Sequence, residues 1–513
     1  MNRLKRSSIN MLAGMLGYAA PMLINVVATP ILLVLLGEDA YGLQALVSVI
    51  LGYATVMDMA LDLPITKFVA EDEGRGDTKS RNRLLNNALQ LYCIIGLLGM
   101  ILIISSADFL ARRVFHVPEN LMDTTIVVFR LTGIGFFATV LGTWGRAAAN
   151  GMQRYDITHI VALATSFSGM SLGLATVYGG YGVTGFVMVK LVICQIASSV
   201  TYLIVVKRLL PTFKIQLGVD RLTLQRIRNY MAYGAVNRTM GTVVSRLDQT
   251  LIGVWLGVAA VGVYSIAFMV VTSIGYMLAH MLGFFLPMAS ELYENNKLDQ
   301  LQDIFTRATR FITALAGMFF VPLLVFGDHL VILWLGEQVA SQIDNVLRLL
   351  VISAYISTLT ATITNNLVIG IGKIRQFTIY TTVRSLVLCL CCLLFIKPLG
   401  LEGAGAALLL TSFVDVFYFI TVTKRYLHVA PVQLFEKALL RPIALTLVVF
   451  GMALALRSVT DSWLGLICVV GAMGIFFVTV GYWVGVFGDT ERRAILGLLR
   501  MSLRLLGLPQ RQT

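Results

Sequence analysis

Charged residues are scarce in this chain of 513 amino acids. Asp, Glu, Lys and Arg make up 13% of the residues, while 57% of the residues are apolar. A soluble domain carries roughly 25% charged residues, and a mean hydropathy of +0.82 leaves little polar surface for water. Long polar tracts are also missing. These absences exclude a soluble multidomain enzyme and a disordered chain.

Cysteine is rare as well, and no cysteine lies where a disulfide scaffold would need it. Scaffolds of that kind place cysteines in exposed loops of small secreted domains, whereas all six cysteines here fall within apolar runs. No His or carboxylate lies close enough in sequence to residues 389–392 to complete a metal site. We predict that the cysteines are small apolar residues of helices. They are Cys93, Cys194, Cys389, Cys391, Cys392 and Cys468.

Motifs of catalysis and of nucleotide binding are missing too. The five histidines are scattered singly, and no nucleophile stands in a recognisable arrangement with them. The phosphate-binding pattern Gly-x-x-x-x-Gly-Lys-Ser/Thr does not occur, since Gly372-Lys373 has Leu367 where a glycine is needed and is followed by Ile374. We therefore predict that the protein is not an enzyme, has no cofactor and uses no nucleotide.

Apolar runs long enough to cross a membrane are what the chain has in abundance. A membrane helix takes about 20 residues, and fourteen runs of that order can be counted. The sequence therefore predicts an all-α polytopic membrane protein with about 14 transmembrane helices. The runs are 9–36, 42–64, 85–107, 120–145, 157–179, 183–206, 230–256, 260–286, 306–327, 344–370, 375–396, 401–423, 438–456 and 463–487.

Positive charge is concentrated in short segments between the apolar runs. The net charge is +13, but a nucleic-acid binder needs a basic face on a folded polar domain, so nucleic acid is not an expected partner. Of the 40 Lys and Arg, 30 lie in segments on one side of the runs and only four on the other side. Under the positive-inside rule this imbalance places both termini in the cytoplasm. The first apolar run is also too long for a signal peptide, so we expect it to be a retained membrane helix.

Four short patterns recur in the same order at nearly one offset, which predicts an internal repeat. The Leu-Gly and Tyr-Gly pattern of 36–42 resembles 256–264, and Ala70-Glu71 resembles Ser290-Glu291, in both cases 220 residues later. The other two pairs are Gly151 with Gly370, at an offset of 219, and 181–185 with 399–403, at an offset of 218. Each repeat holds six runs, an even number, so both copies insert with the same orientation, as in transporters built from parallel repeats.

The repeat defines the predicted domain organisation. The N-lobe covers 1–217 with helices 1–6, and the C-lobe covers 218–430 with helices 7–12. Two additional transmembrane helices occupy 431–488. The remaining 489–513 is predicted to be a basic amphipathic cytoplasmic tail that lies on an anionic inner leaflet, with a solvated basic tail as the alternative.

Ten charged residues interrupt the apolar runs, and these are the candidates for function. A cation that faces lipid at the bilayer centre costs about 2.5–3.5 kcal/mol, so these side chains must face a wet cavity, pair with one another or reach the interface. Arg348 and Asp62 lie near run ends, where snorkelling is expected. For the others a polar cavity is expected, with structural ion pairs as the alternative. The expected cavity cations are Arg130, Lys190, Arg238, Arg246 and Arg384, and the expected ion-coupling residues or charge partners are Asp58, Asp248 and Asp415.

One run carries both Arg246 and Asp248, which are two residues apart and so point about 200° away from each other on a helix. They cannot pair within the helix, and each needs a partner elsewhere. Two lobes that meet at a central cleft would place this helix and its repeat mate, 9–36, beside the cavity. The run 9–36 contains Pro21 and Pro30, and proline kinks a helix. We expect gating bends at these prolines, with a static kink as the alternative.

A transporter without a nucleotide site needs another driving force. Coupling to a proton or sodium gradient is expected to be possible, and membrane potential or downstream consumption of the product are the alternatives. The intramembrane carboxylates named above are the candidates for binding the coupling ion.

Several segments together resemble a signature of bacterial polysaccharide exporters. They are Arg246–Gly257 (RLDQTLIGVWLG), Gly262–Ala267 (GVYSIA), Leu36–Gly42 (LGEDAYG) and Gly400–Ala404 (GLEGA). The chain looks like the Wzx-type branch of the multidrug/oligosaccharidyl-lipid/polysaccharide exporter superfamily, and the resemblance covers about 10–430.

The resemblance implies alternating access through a central cavity in the bacterial inner membrane. The implied cargo is an undecaprenyl-pyrophosphate-linked oligosaccharide for an exopolysaccharide or O-antigen, which the expected cavity cations would bind because arginine matches phosphate oxygens in a fork. Membrane lipids, and possibly the polymerase and glycosyltransferases of the same pathway, are the other implied partners. A cation-coupled multidrug exporter of the same fold and a lipid II flippase stay open as alternatives, and a membrane-embedded glycan polymerase or ligase is a third.

Overall fold

The computed structural model describes residues 3–54, 56, 61–211, 213–216, 218, 220, 225, 239–242, 244–283 and 285–486, with side chains from Pro21 onward apart from Met22. Within these ranges the backbone is helical between short connections and contains no strand. The predicted site residues Asp58 and Arg238 and the predicted tail 489–513 lie outside the described residues.

The helices follow one another along the chain with short turns between them. Several contain a single π-helical turn, as at Met188–Ile193 and Thr358–Thr362. They are α1 (Arg3–Ala54), α2 (Asp62–Gly74), α3 (Thr78–Val114), α4 (Glu119–Gly151), α5 (Tyr155–Tyr178), α6 (Gly182–Leu209), α7 (244–255), α8 (Val258–Met281), α9 (Phe285–Glu294), α10 (Leu298–Leu335), α11 (Glu337–Gly370), α12 (Ile374–Leu399), α13 (Leu401–Tyr426), α14 (Pro431–Ala455) and α15 (Trp463–Val484).

Twelve helices in the described part of the chain are long and apolar enough to cross a membrane. The first of them, Leu23–Ala54, joins two of the predicted runs, because α1 continues on both sides of a non-helical Gly37. The predicted run 230–256 is described only in part, as α7. The predicted class, an all-α polytopic membrane protein, is confirmed.

The predicted internal repeat is confirmed by the backbone turns. Residues with positive φ, a conformation that costs little only for glycine, recur at an offset of 218 to 220 residues along the chain. Three of the partners are Asn or other non-glycine residues, so the backbone repeats even where the residue type does not. The pairs are Gly37 with Gly257, Gly76 with Asn296, His116 with Gly336, Gln153 with Gly372, and Gly182 with Gly400.

Close packing repeats at the same offset. A Cβ added to Gly151 on α4 would lie 2.6 Å from Cβ of Val69 on the short helix α2. A Cβ added to Gly370 on α11 would lie 3.1 Å from Cβ of Ala289 on the short helix α9. The matched glycines thus let equivalent helices approach closely in each repeat, which explains why glycine recurs there.

The helices α1 and α8 cross backbone to backbone at another matched pair of glycines. A Cβ added to Gly262 would lie 2.9 Å from Cα of Gly42 and 3.2 Å from the carbonyl oxygen of Glu38. A Cβ added to Gly42 would overlap the carbonyl of Val258. Because residues 38 and 258 are themselves 220 apart, the contact is reciprocal. Only glycine permits so close an approach of two helices.

Contacts divide the chain into two compact units. The first comprises Met1–Ile266 and Ser385–Ala404, and the second comprises Ala267–Arg384 and Gly405–Thr513. These bounds differ from the lobes predicted at 1–217 and 218–430, which stay a prediction about the repeats rather than about contact density.

The C-terminal hairpin, α14 with α15, is fastened to α10 within the second unit. Ala314 and Val325 of α10 are buried in one core with Val449 of α14 and Phe477 of α15. Near one end of α10, the Arg310 guanidinium donates to the carbonyl oxygen of Lys437 at 3.0 and 2.6 Å. Near the other end, Arg457 pairs with Asp328, and His329 Nδ1 lies 2.5 Å from Thr460 Oγ1. The hairpin is therefore held along the length of α10.

The equivalent helix of the first repeat, α3, presents a different face. Leu98 and Leu102 of α3 are 57% exposed, and Ile94 is 53% exposed. The positions 220 residues later on α10 include Ala314 and Pro322, which are buried beneath the hairpin. Large apolar side chains suit contact with lipid tails, whereas small ones allow helices to pack closely. The extra hairpin thus covers a face that the first repeat leaves to lipid.

Replacing Gly317 by Ala is expected to lower the free energy of unfolding, by about 1–3 kcal/mol for an overpacked contact. The added Cβ would overlap Thr446 Oγ1 where α14 crosses α10, and that hydroxyl already donates to the carbonyl of Pro442. Gly451→Ala on α14 is the matched control, because nothing lies within 4 Å of its added Cβ. Helix propensity should make that variant more stable. Thermal unfolding in detergent measures both, and equal shifts of the same sign would contradict this packing.

Candidate functional site

Asp415 is a fully buried carboxylate in the second unit, and three side chains donate to it. Tyr380 donates to its Oδ1 at 2.7 Å, and the Arg384 guanidinium donates to the same oxygen at 2.9 Å. Ser357 donates to Oδ2 at 2.5 Å. The ring of Tyr418 stacks on that of Tyr380, with 3.9 Å between the centroids. Helices α11, α12 and α13 all contribute, so the cluster ties three membrane helices together.

Arg384 therefore lies in an ion pair. Its side chain is 17% exposed, whereas Asp415 is 0% exposed. A buried pair of this kind is costly to break, because either partner alone would remain as an uncompensated charge. For Arg384 and Asp415 the structure places together two residues that sequence could assign only singly, in the arrangement left open as the alternative to a cavity.

Arg348 on α11 is also paired with acids of the second unit. Its guanidinium lies 2.9 Å from Asp344 and 3.8 Å from Asp328. The expected snorkelling position near a helix end agrees with its exposure of 39%. Asp62 lies outside the spans, since α1 ends at Ala54 and Asp62 opens α2.

In the first unit, Asp248 on α7 is fully buried among neutral donors. The Tyr264 hydroxyl of α8 donates to it at 2.5 Å, and the Gln249 backbone N–H donates at 2.8 Å. Arg246 turns to a different partner and donates to Gln249 Oε1 at 3.2 Å. The prediction that Arg246 and Asp248 do not pair with each other is confirmed.

Two further cations of the first unit have no acidic partner within the described part of the chain. Arg130 on α4 is exposed, 11 residues beyond the start of its helix at Glu119. Lys190 lies in the π-helical turn of α6, with Nζ 5.1 Å from the ring centroid of Phe186. A π turn inside an α-helix is frequent at functional sites. Arg130, Lys190 and Arg246 thus differ from Arg384 and Arg348, which are paired with carboxylates.

Pro21 and Pro30 both lie inside α1, and the helix continues through them. The side-chain amide of Asn25 donates to the carbonyl of Pro21 at 2.9 Å, which satisfies one backbone acceptor beside the proline. The break in α1 falls at Gly37, where φ is 79° and ψ is 167°. Bending at the two prolines stays a prediction.

Sequence reasoning missed the neutral partners of the buried carboxylates. Tyr264 and Tyr380 lie on helices adjacent to those of Asp248 and Asp415, 16 and 35 residues away along the chain. No periodicity in one sequence couples positions on separate helices. The only available signal was the motif GVYSIA, which contains Tyr264.

A family model described as Polysaccharide biosynthesis protein matches residues 31–344, which is more than half of the chain. The chain belongs to this family. The resemblance to polysaccharide exporters inferred from the sequence motifs is therefore confirmed, and the family together with the structural relatives below consists of flippases and transporters rather than enzymes. A curated relative is the uncharacterized membrane protein EpsK of Bacillus subtilis (strain 168), 22% identical over 333 residues. That match spans 64% of this chain and 66%, just under two thirds, of EpsK.

Solved structures with the same fold include flippases and transporters of the MOP superfamily. The lipid II flippase MurJ, in an inward closed conformation, matches 92% of this chain and 98% of its own with a TM-score of 0.72 at 12% identity. An inward-facing multidrug resistance MATE family transporter matches 85% and 100% with a TM-score of 0.69 at 15% identity. A MOP superfamily transporter from Pyrococcus furiosus matches 83% and 96% with a TM-score of 0.62 at 18% identity. At these identities the likeness shows the shared fold alone.

Proposed function

We propose that the protein is a flippase that moves undecaprenyl-pyrophosphate-linked oligosaccharides across the bacterial inner membrane for polysaccharide export. The observation that carries the proposal is the set of three intramembrane cations in the first unit, Arg130, Lys190 and Arg246, for which the described part of the chain offers no carboxylate partner. The matched polysaccharide family supplies the context. Alternating access, an inner-membrane location and cytoplasmic termini belong to the same proposal.

The charge argument favours an anionic cargo. Each unpaired cation within the hydrocarbon region costs about 2.5–3.5 kcal/mol on insertion scales, so the chain retains these side chains at a cost that a bound anion would offset. A pyrophosphate offers several oxygens, and a guanidinium can bind two of them at once. The cations Arg384 and Arg348 are already neutralised by acids, which leaves the first unit as the phosphate-binding half.

The same bookkeeping disfavours an exporter of cationic drugs, which would use intramembrane carboxylates. Asp415 is neutralised by Arg384, and Asp248 accepts hydrogen bonds from Tyr264 and Gln249. A flippase for lipid II shares the lipid-pyrophosphate chemistry, so the two substrates must be separated by experiment.

Coupling to a proton or sodium gradient is the proposed driving force. Asp248 is the best placed carboxylate, since its described partners are neutral groups and it does not form an ion pair with a described cation. Glycosyltransferases and a polymerase of the same pathway would supply and consume the lipid-linked substrate.

The pool of lipid-linked intermediates in a strain that lacks the gene tests the proposal. Undecaprenyl-linked repeat units would be extracted and quantified beside surface polysaccharide. We expect the intermediate to accumulate and the polysaccharide to disappear, with both restored by the wild-type gene. Accumulated lipid II would indicate the peptidoglycan flippase instead. An unchanged pool with heightened sensitivity to cationic drugs would assign the protein to the drug exporters.

A further inference from the structure

Arg246 packs against a residue that has no side chain. A Cβ added to Gly52, on the second half of α1, would lie 2.8 Å from Arg246 Nε, 3.1 Å from its Cγ and 3.3 Å from its Cδ. Real Cβ atoms essentially never come as close as 2.8 Å to another heavy atom. The arginine stem and the root of its guanidinium therefore occupy the space that any other residue at position 52 would fill.

The backbone does not require glycine at position 52. Gly52 lies inside α1 with helical geometry and without a positive φ, and glycine in a helix interior costs about 1 kcal/mol relative to alanine. The internal repeat does not require it either, since the residue 220 positions later is Thr272. Room for Arg246 is the remaining reason for glycine there.

Two hydrogen bonds fix the surroundings of this contact. The Arg246 guanidinium donates through one terminal nitrogen to Gln249 Oε1 at 3.2 Å. The hydroxyls of Tyr53 and Thr250 lie 3.1 Å apart, which joins α1 to α7 one helical turn from Arg246. Gly52 and Gln249 thus confine the guanidinium from two sides, and α1 cannot shift away without breaking the Tyr53 contact.

We propose that Gly52 is a positioning residue that sets the direction of the Arg246 guanidinium for binding the pyrophosphate of the substrate. The inference rests on the proposed function, because it assumes a phosphate ligand for Arg246. An alanine at position 52 would push the guanidinium off its direction without removing its charge. Positioning matters because a guanidinium binds phosphate oxygens through a planar fork, whose strength depends on orientation.

A double-mutant cycle tests the proposal on the full-length chain in detergent. Inorganic pyrophosphate is the probe, and its stabilisation of the protein against thermal unfolding gives an apparent affinity. Gly52→Ala should weaken that affinity about tenfold, as expected for a charge-assisted hydrogen bond that is misdirected. Arg246→Ala should weaken it at least as much. Gly52→Ala added to Arg246→Ala should have no further effect, because the side chain that Gly52 positions is gone.

The matched control is Gly275→Ala, a helical glycine of α8 whose added Cβ meets nothing within 4 Å, and it should bind like the wild type. Independent, multiplicative losses from Gly52→Ala and Arg246→Ala would overturn the proposal, as would wild-type binding by Gly52→Ala. If Gly52→Ala prevents folding, the double variant must fold again, since the clash has been removed. A double variant that still fails to fold also overturns the proposal. The lipid-intermediate pool in the gene-deletion strain is a separate readout, so failure of the proposed function is distinguishable from failure of this one.

Discussion

Asp415→Ala is expected to lower the free energy of unfolding by about 3–5 kcal/mol, as found when one partner of a buried ion pair is removed. The change leaves the guanidinium of Arg384 buried without its counter-charge and removes the acceptor of the Tyr380 and Ser357 hydroxyls. Thermal unfolding of the purified variant in detergent measures the loss. In cells the same loss should appear as reduced abundance in the membrane.

Two controls separate burial from charge in this experiment. Asp108→Ala breaks an ion pair with Arg112 in which both side chains are more than half exposed, and such pairs are worth about 0–1 kcal/mol. The double variant Asp415→Leu with Arg384→Leu removes both charges, so it should recover much of the stability lost by Asp415→Ala. A loss no greater than that of Asp108→Ala would contradict the assignment of Asp415 and Arg384 as a buried pair.

Arg246→Ala is expected to abolish most of the transport while leaving the abundance of the protein near that of the wild type. Arg246 is half-buried and pairs with no described carboxylate, so its removal leaves no uncompensated charge behind. Loss of a charge-assisted hydrogen bond to phosphate costs about 1.5–3 kcal/mol, which is roughly tenfold or more in affinity. The measurement is the lipid-linked intermediate pool and the surface polysaccharide in the deletion strain that carries the variant.

Arg246→Lys and Arg112→Ala are the informative companions. Lysine keeps the charge but loses the planar fork, so Arg246→Lys should retain part of the transport. Arg112→Ala removes an arginine that is exposed and paired outside the site, and it should transport like the wild type. Full polysaccharide production by Arg246→Ala would remove Arg246 from the substrate path.

The architecture could be read from the sequence because it is written in local patterns. Apolar runs, charge between the runs and glycine turns are properties of neighbouring residues, and His116 with Gly336 shows that the turn recurs where glycine does not. The helix that holds Pro21 and Pro30 was found, but its break lies at Gly37. Proline removes one hydrogen bond whose loss Asn25 offsets beside Pro21, whereas a positive φ at Gly37 ends helical geometry outright.

The site could be predicted only as a set of candidate charges. Insertion cost identifies Arg384, Asp415 and Arg246 as residues that need an explanation, but it does not say which of them meet. Pairing depends on how α12 and α13 pack, which no pattern within either helix determines. Gly52 carried no signal at all, because the reason for glycine lies on a helix almost 200 positions away.

Transbilayer movement of the substrate by the purified protein is the measurement that tests the central claim most directly. The full-length chain would be reconstituted into liposomes that contain undecaprenyl-pyrophosphate-linked oligosaccharide, and a membrane-impermeant reagent would modify the glycan on the outer leaflet. The proposed function predicts that wild-type protein exposes the inner-leaflet glycan to the reagent, and that Arg246→Ala leaves that glycan protected. Protection that is the same with wild-type protein as in protein-free liposomes, under proton and sodium gradients of either direction, would contradict the account.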